Sequence, residues 1–155
     1  MTAVLFAILL SSAGAFALPT QQAGSRAGTP SPFVGDWVAD LSQSRLDAKM
    51  PLKGVDLKIG VNGNIVTIAS SLILPSGQTH SETETLRADG TETAGTLTPG
   101  VTHVANWVGP HVLALIARKG NQNIALITYD VSADGRTLTA RTSGLVEQTV
   151  VFRRR

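Results

Sequence analysis

The residues of this chain that could do chemistry are few and scattered. Three histidines, His80, His103 and His111, fall on different strand-like runs. A transition-metal site needs donors converging at short, recurring spacings, and no such spacing links these three. His103 and His111 flank the turn Gly109-Pro110, and in such a hairpin His111 lies opposite Asn106 to Val108, away from His103. We therefore expect no metal site. Glu82 and Glu84 share one face of the run Thr79 to Arg87. Paired carboxylates do acid–base work when burial holds one of them protonated. Their threonine and serine neighbours argue for solvent, which makes them a charged face that discourages addition of another strand. The serines lie in no Gly-x-Ser-x-Gly stretch and pair with no assignable His and acid. The glycines sit in turns, with no phosphate-cradling loop. There is no cysteine, which excludes disulfides, thiol nucleophiles and thiolate metal sites. The expectation is a chain with no catalytic residues and no cofactor.

What remains is a small set of large rings. Trp107, Tyr129 and Phe152 are the candidates for lining a ligand pocket, although core packing is the default for side chains of this size. Whether they meet a cavity depends on the elements that carry them.

Those elements read as strands. Val34 to Ala39 is the first. Asp40 to Leu46 can make one helical turn, capped by Asp40 or Ser42. Val55 to Val61 alternates apolar and polar residues, the period of a half-buried strand. Asn62-Gly63 is a hairpin signal, because a type I′ turn needs positive φ at both central positions. Asn64 to Leu74 pairs back until Pro75-Ser76-Gly77. Thr79 to Arg87 is polar on both faces before Leu86, so it is either a solvated edge strand or a strand facing a wet cavity. Asp89-Gly90 leads into Thr91 to Leu97. The second half is oilier: Val101 to Val108, His111 to Arg118, Gln122 to Val131, Arg136 to Thr142 and Val146 to Arg154, each separated by a short turn. About ten short strands at such spacing indicate a sandwich or barrel. Connections this short favour an up-and-down meander, and a long meander removes its exposed edges by closing. The expected fold is an all-β, up-and-down antiparallel barrel of roughly eight to ten strands.

The first residues are organised differently. Ala3 to Leu10 is apolar and small residues follow, ending in Ala15-Phe16-Ala17, the pattern of a cleaved secretory signal over residues 1–17. No Lys or Arg precedes the apolar run. Residues 18–32, rich in Gly, Pro, Ser and Thr, read as a flexible linker, and 33–155 as the folded domain. Export, to a periplasm or the outside, is the expected localisation. Formal charge is +2, and Arg153, Arg154 and Arg155 account for three of the thirteen basic residues. Such a balanced remainder offers no nucleic-acid surface. Thr79 to Arg87 has no lipid-facing row, so the strands are not expected to insert into a membrane. Val112 to Ala117 and Ile124 to Ile127, within strands 111–118 and 122–131, are apolar on both faces, which suggests that the outer side of these strands is covered by the tether, a second subunit or a protein partner.

Taken together, Phe33-Val34-Gly35-Asp36-Trp37, Asp40 with Ser44, Ser132-Ala133-Asp134-Gly135-Arg136-Thr137-Leu138-Thr139 and Phe152-Arg153-Arg154 resemble the small exported bacterial lipocalin-like domains, barrels of the calycin type. The resemblance spans the whole folded unit. It implies that Gly35 lets the first strand bend over one end of the barrel. It also implies that a guanidinium from the last strand lies on Trp37 and closes that end through a cation–π contact. If Phe152 faces inward, strand alternation turns Arg154 inward and Arg153 outward, so Arg154 is the expected partner. The haem-binding barrels of this type use a histidine in the later strands, and none follows His111. The resemblance implies an exported, non-catalytic domain that binds a small, partly apolar ligand inside the barrel. The competing reading is an interaction or inhibitor module of the cell envelope with a filled barrel. A continuous void of several hundred Å³ would separate the two.

Overall fold

The computed structural model describes residues 30–49, 51–95 and 97–155. The expected signal segment and most of the expected linker lie outside the described residues. Ten strands follow one another: β1 (Gly35–Ala39), β2 (Gly54–Asn62), β3 (Ile65–Ile73), β4 (Thr79–Arg87), β5 (Asp89–Ala94), β6 (Val101–Gly109), β7 (Val112–Lys119), β8 (Gln122–Val131), β9 (Thr137–Gly144) and β10 (Gln148–Arg154). Among the described residues one 3₁₀ turn, Leu41–Gln43, interrupts them. Asp40 precedes it without the side-chain cap the sequence suggested. Its carboxylate accepts the Ser42 hydroxyl instead, at 2.5 Å.

All ten strands form one antiparallel sheet in the order β4-β3-β2-β1-β10-β9-β8-β7-β6-β5. Every neighbour is a sequence neighbour except β1 and β10, whose pairing bends the meander into a nearly closed barrel. The remaining seam runs between β4 and β5, the two ends of the sheet order. There the ladder is missing although the strands are consecutive. The Ala88 N–H between them bonds back to the Asn64 carbonyl at 2.7 Å. This geometry lets β4 turn away from β5.

The β2–β3 hairpin departs by one residue from the expected Asn62-Gly63 turn. Asn62 pairs with Ile65, so Gly63-Asn64 are the central residues, with Gly63 at φ 59°. Either order supplies the tolerance for positive φ. The observed register keeps Leu57, Ile59, Val66 and Ile68 together in the core.

Within the barrel, inward residues recur at every second position, as the pleat requires. One end of the interior is packed solid. Phe33, Trp37, Val66, Leu86, Leu113, Val131 and Leu138 are at most 1% exposed. Phe33 and Trp107 lie with ring centroids 5.2 Å apart at 57°, and the Trp37 indole N–H donates to the Phe33 carbonyl at 2.9 Å. On β7, Ala114 and Ile116 are also buried, although alternation turns them opposite to Leu113 and Leu115.

Candidate ligand-binding cavity

Trp37 sits opposite Arg154 in the β1–β10 ladder. The Arg154 guanidinium carbon lies 4.2 Å from the centre of the indole. Its nitrogens donate to the carbonyls of Gly135 (2.6 Å), Val34 (2.7 Å) and Pro32 (2.5 Å). One side chain thus ties the last strand, the β8–β9 turn and the approach to β1. Gly35 has φ 144°, and a Cβ there would stand 2.6 Å from Arg154 Nη1. Only glycine lets the guanidinium approach so closely. Arg153 points away, its exposed side chain placing Nε 3.5 Å from Asp40 Oδ2.

Beyond this packed end the barrel is hollow. A cavity of about 560 Å³ occupies its other half, within the range of small-molecule sites. Its apolar wall includes Leu57, Leu72, Leu115, Ile127, Val150 and Phe152. Space exists because several inward positions carry small side chains: Ser70, Ala117, Ala125 and Ala140.

The polar part of the wall comes mainly from β4 and β6. His80, Glu82 and Glu84 project from alternate positions of β4 into the cavity, and His103 meets them from β6. This corrects the solvent-facing reading of the two glutamates, whose side chains are only 18% and 15% exposed. The threonine and serine row is the one that faces out. Glu84 Oε1 and His103 Nδ1 are in close contact, and neither atom has a hydrogen bond to any other described residue. The pair reaches from β4 across the open β4–β5 seam to β6, the strand next to β5. Glu82 is less engaged: its Oε1 accepts the Ser70 hydroxyl at 3.4 Å, and His80 Nε2 stands 3.8 Å from its Oε2.

Tyr129, on β8, lines the same cavity. Burial, and after it the negative charges of Glu84 and Glu82, push its phenol above the ordinary range. No Lys or Arg lines the cavity among the described residues.

Of the three rings proposed to line a pocket, Tyr129 and Phe152 do so and Trp107 does not. Trp107 lies four residues beyond His103 on β6, roughly 13 Å further along the strand, in the packed end against Phe33. His111 is also outside the cavity, its Nδ1 buried without a hydrogen-bond partner among the described residues. No grouping of three or more potential metal ligands occurs among the described residues. The contribution of β4 had a readable signal. Leu86 is buried in the core, and counting back from it by twos gives Glu84, Glu82 and His80.

No family model matches this chain, and no curated protein does. Its likeness is to solved structures. The wild-type fluorescent protein UnaG superposes with a TM-score of 0.60 at 16% identity, over 79% of this chain and 97% of that one. A Schistosoma mansoni fatty-acid-binding protein in complex with arachidonic acid gives 0.60 at 16% identity, over 83% and 99%. Echinococcus granulosus fatty-acid-binding protein 1 gives 0.55 at 11%, over 79% and 97%. At such identities the likeness is one of fold: the ten-stranded meander with its β1–β10 closure shares the barrel architecture of these structures.

Proposed function

We propose that this domain is exported and binds a small, partly apolar molecule inside its barrel without transforming it. The observation that carries the reading is the void of about 560 Å³ with a largely apolar wall. An interaction module with a filled barrel has no use for such a space, and closing it would gain burial energy. Solved barrels of similar architecture include proteins titled as fatty-acid-binding proteins and a fatty acid transporter, which favours carriage over catalysis. Export rests on the apolar segment closed by Ala15-Phe16-Ala17.

Two measurements test the proposal. Native mass spectrometry of protein purified from its own host is expected to show a retained small molecule. Titration with a neutral, environment-sensitive dye such as Nile Red is expected to give saturable, one-to-one fluorescence enhancement. Protein free of any bound molecule that also leaves the dye unenhanced would refute ligand carriage.

A further inference from the structure

The head-group chemistry of this cavity is one-sided. Its ionisable lining consists of His80, Glu82, Glu84, His103 and Tyr129. With the carboxylates ionised and the phenol protonated, the two histidines can take the total only from minus two to zero. No combination is positive. A carboxylate head would enter a space holding two carboxylates and, among the described residues, no guanidinium or ammonium to meet it. Like charges placed together beside an apolar wall repel more strongly than in bulk water.

We infer that the ligand is a lipophilic amine, with its ammonium against Glu82 and Glu84 and its hydrocarbon portion along Leu72, Leu115, Ile127 and Phe152. This rests on the barrel-binding reading above and specifies the ligand class for it. Ionised carboxylates are pure acceptors with room for several donors each. Glu82 uses little of that capacity, with one hydroxyl at 3.4 Å and one imidazole nitrogen at 3.8 Å. Glu84 has one close partner, His103, on the far side of the seam. An ammonium brings three donors and the missing charge. The Tyr129 phenol is held protonated by burial and by the same two carboxylates, which leaves it neutral beside the head group. The amine therefore completes an acidic site at the polar wall, while the small inward residues Ala117, Ala125 and Ala140 leave volume for the chain.

Decylamine, decanol and decanoate, equal in chain length, separate the head from the tail. Each is titrated against the full chain by displacement of Nile Red near neutral pH. Decylamine is expected to bind tightest, about tenfold or more above decanoate, since like-charge placement disfavours the wrong partner. In Glu82→Gln/Glu84→Gln the advantage of decylamine over decanol is expected to disappear while decanol holds within about twofold. Glu82→Gln alone, whose contacts are long, is expected to lose part of that advantage and covers failure of the double variant to fold. Decanoate binding as well as decylamine would overturn the amine assignment and leave the carrier reading intact. Equal loss of decylamine and decanol in the folded variants would overturn it too. If neither the dye nor any of the three compounds binds, both readings fall.

Discussion

The two ends of the barrel interior are built from the same strands and have opposite contents. β3 contributes Val66 to the packed end and Ser70 and Leu72 to the hollow one. β7 contributes Leu113, then Leu115 and Ala117. β8 contributes Val131, then Tyr129, Ile127 and Ala125. β9 contributes Leu138, then Ala140 and Thr142. On β7, β8 and β9 the inward row ends at the hollow end in Ala117, Ala125 and Thr142, and on β3 it passes through Ser70 before Leu72. Small side chains at these inward positions leave the space that forms the void. The lesson is a division of labour. Close packing is concentrated around Trp37, and the cavity lies away from it.

The comparison can be broken most directly at the packed end. Trp37→Ala removes the largest fully buried side chain, the indole hydrogen bond to Phe33 and the platform under Arg154. We expect a loss of about 3–5 kcal/mol, read as a large fall in the urea midpoint. Leu72→Ala, on the cavity wall, is expected to cost clearly less, because its side chain already borders empty space. Equal losses would mean that the two ends share the load of holding the fold.

A smaller effect is expected at the closure itself. Gly35→Ala asks a residue with a Cβ to adopt φ 144° and to stand where Arg154 Nη1 already is. Backbone strain of this kind costs about 1–3 kcal/mol. Arg154 can relieve the contact only by giving up its bonds to Val34 and Pro32. Thermal unfolding of Gly35→Ala alone and combined with Arg154→Met checks the cause. If the clash matters, the two losses are far from additive.

A matched pair sharpens the contrast further. Ala105 is buried and lies outside the cavity, while Ala140 lines it. Ala105→Leu overfills a packed region and should cost about 1–3 kcal/mol. Ala140→Leu places the same added atoms in open space, so stability should stay within about 1 kcal/mol while dye affinity falls. Urea unfolding and Nile Red titration of both variants read the two effects separately. Tight dye binding in Ala140→Leu would show that the void is not where the dye goes.

Much of this architecture was legible in the residues because it depends on local rules. Short polar turns punctuate apolar runs, and Gly35, Trp37 and Arg154 mark the first and last strands by their positions. The two-residue period correctly separated Arg154 from Arg153 once Phe152 was taken as inward. The division of the interior was not legible, because a void is a sum of volumes over strands whose register is set by the closed sheet. Trp107 illustrates this. Its ring type suited a pocket wall, but its depth along β6 placed it against Phe33. Glu82 and Glu84 failed for another reason. In a single strand a polar row beside water looks the same as a polar row beside a wet cavity. Only Leu86, further along the same row, distinguishes the faces.

Tyr129 provides the smallest effect and the most local probe of the hollow end. It is the chain's single tyrosine, so absorbance of its phenolate reports one site. An ordinary phenol ionises near pH 10 in the unfolded chain, whereas burial and then Glu84 and Glu82 hold the folded one higher. Below pH 10 both states keep the proton and stability is unaffected by this group. Above it the unfolded state loses the proton first, so the folded state binds more protons and stability falls as pH rises. The tyrosinate signal at 295 nm should therefore appear later in the folded protein than in the urea-unfolded one, and coincide with alkaline unfolding. In Glu82→Gln/Glu84→Gln the onset should move down without returning to the unfolded value, because burial is the larger cause. A folded-state titration matching that of the unfolded chain would place Tyr129 in bulk water and remove it from the cavity wall.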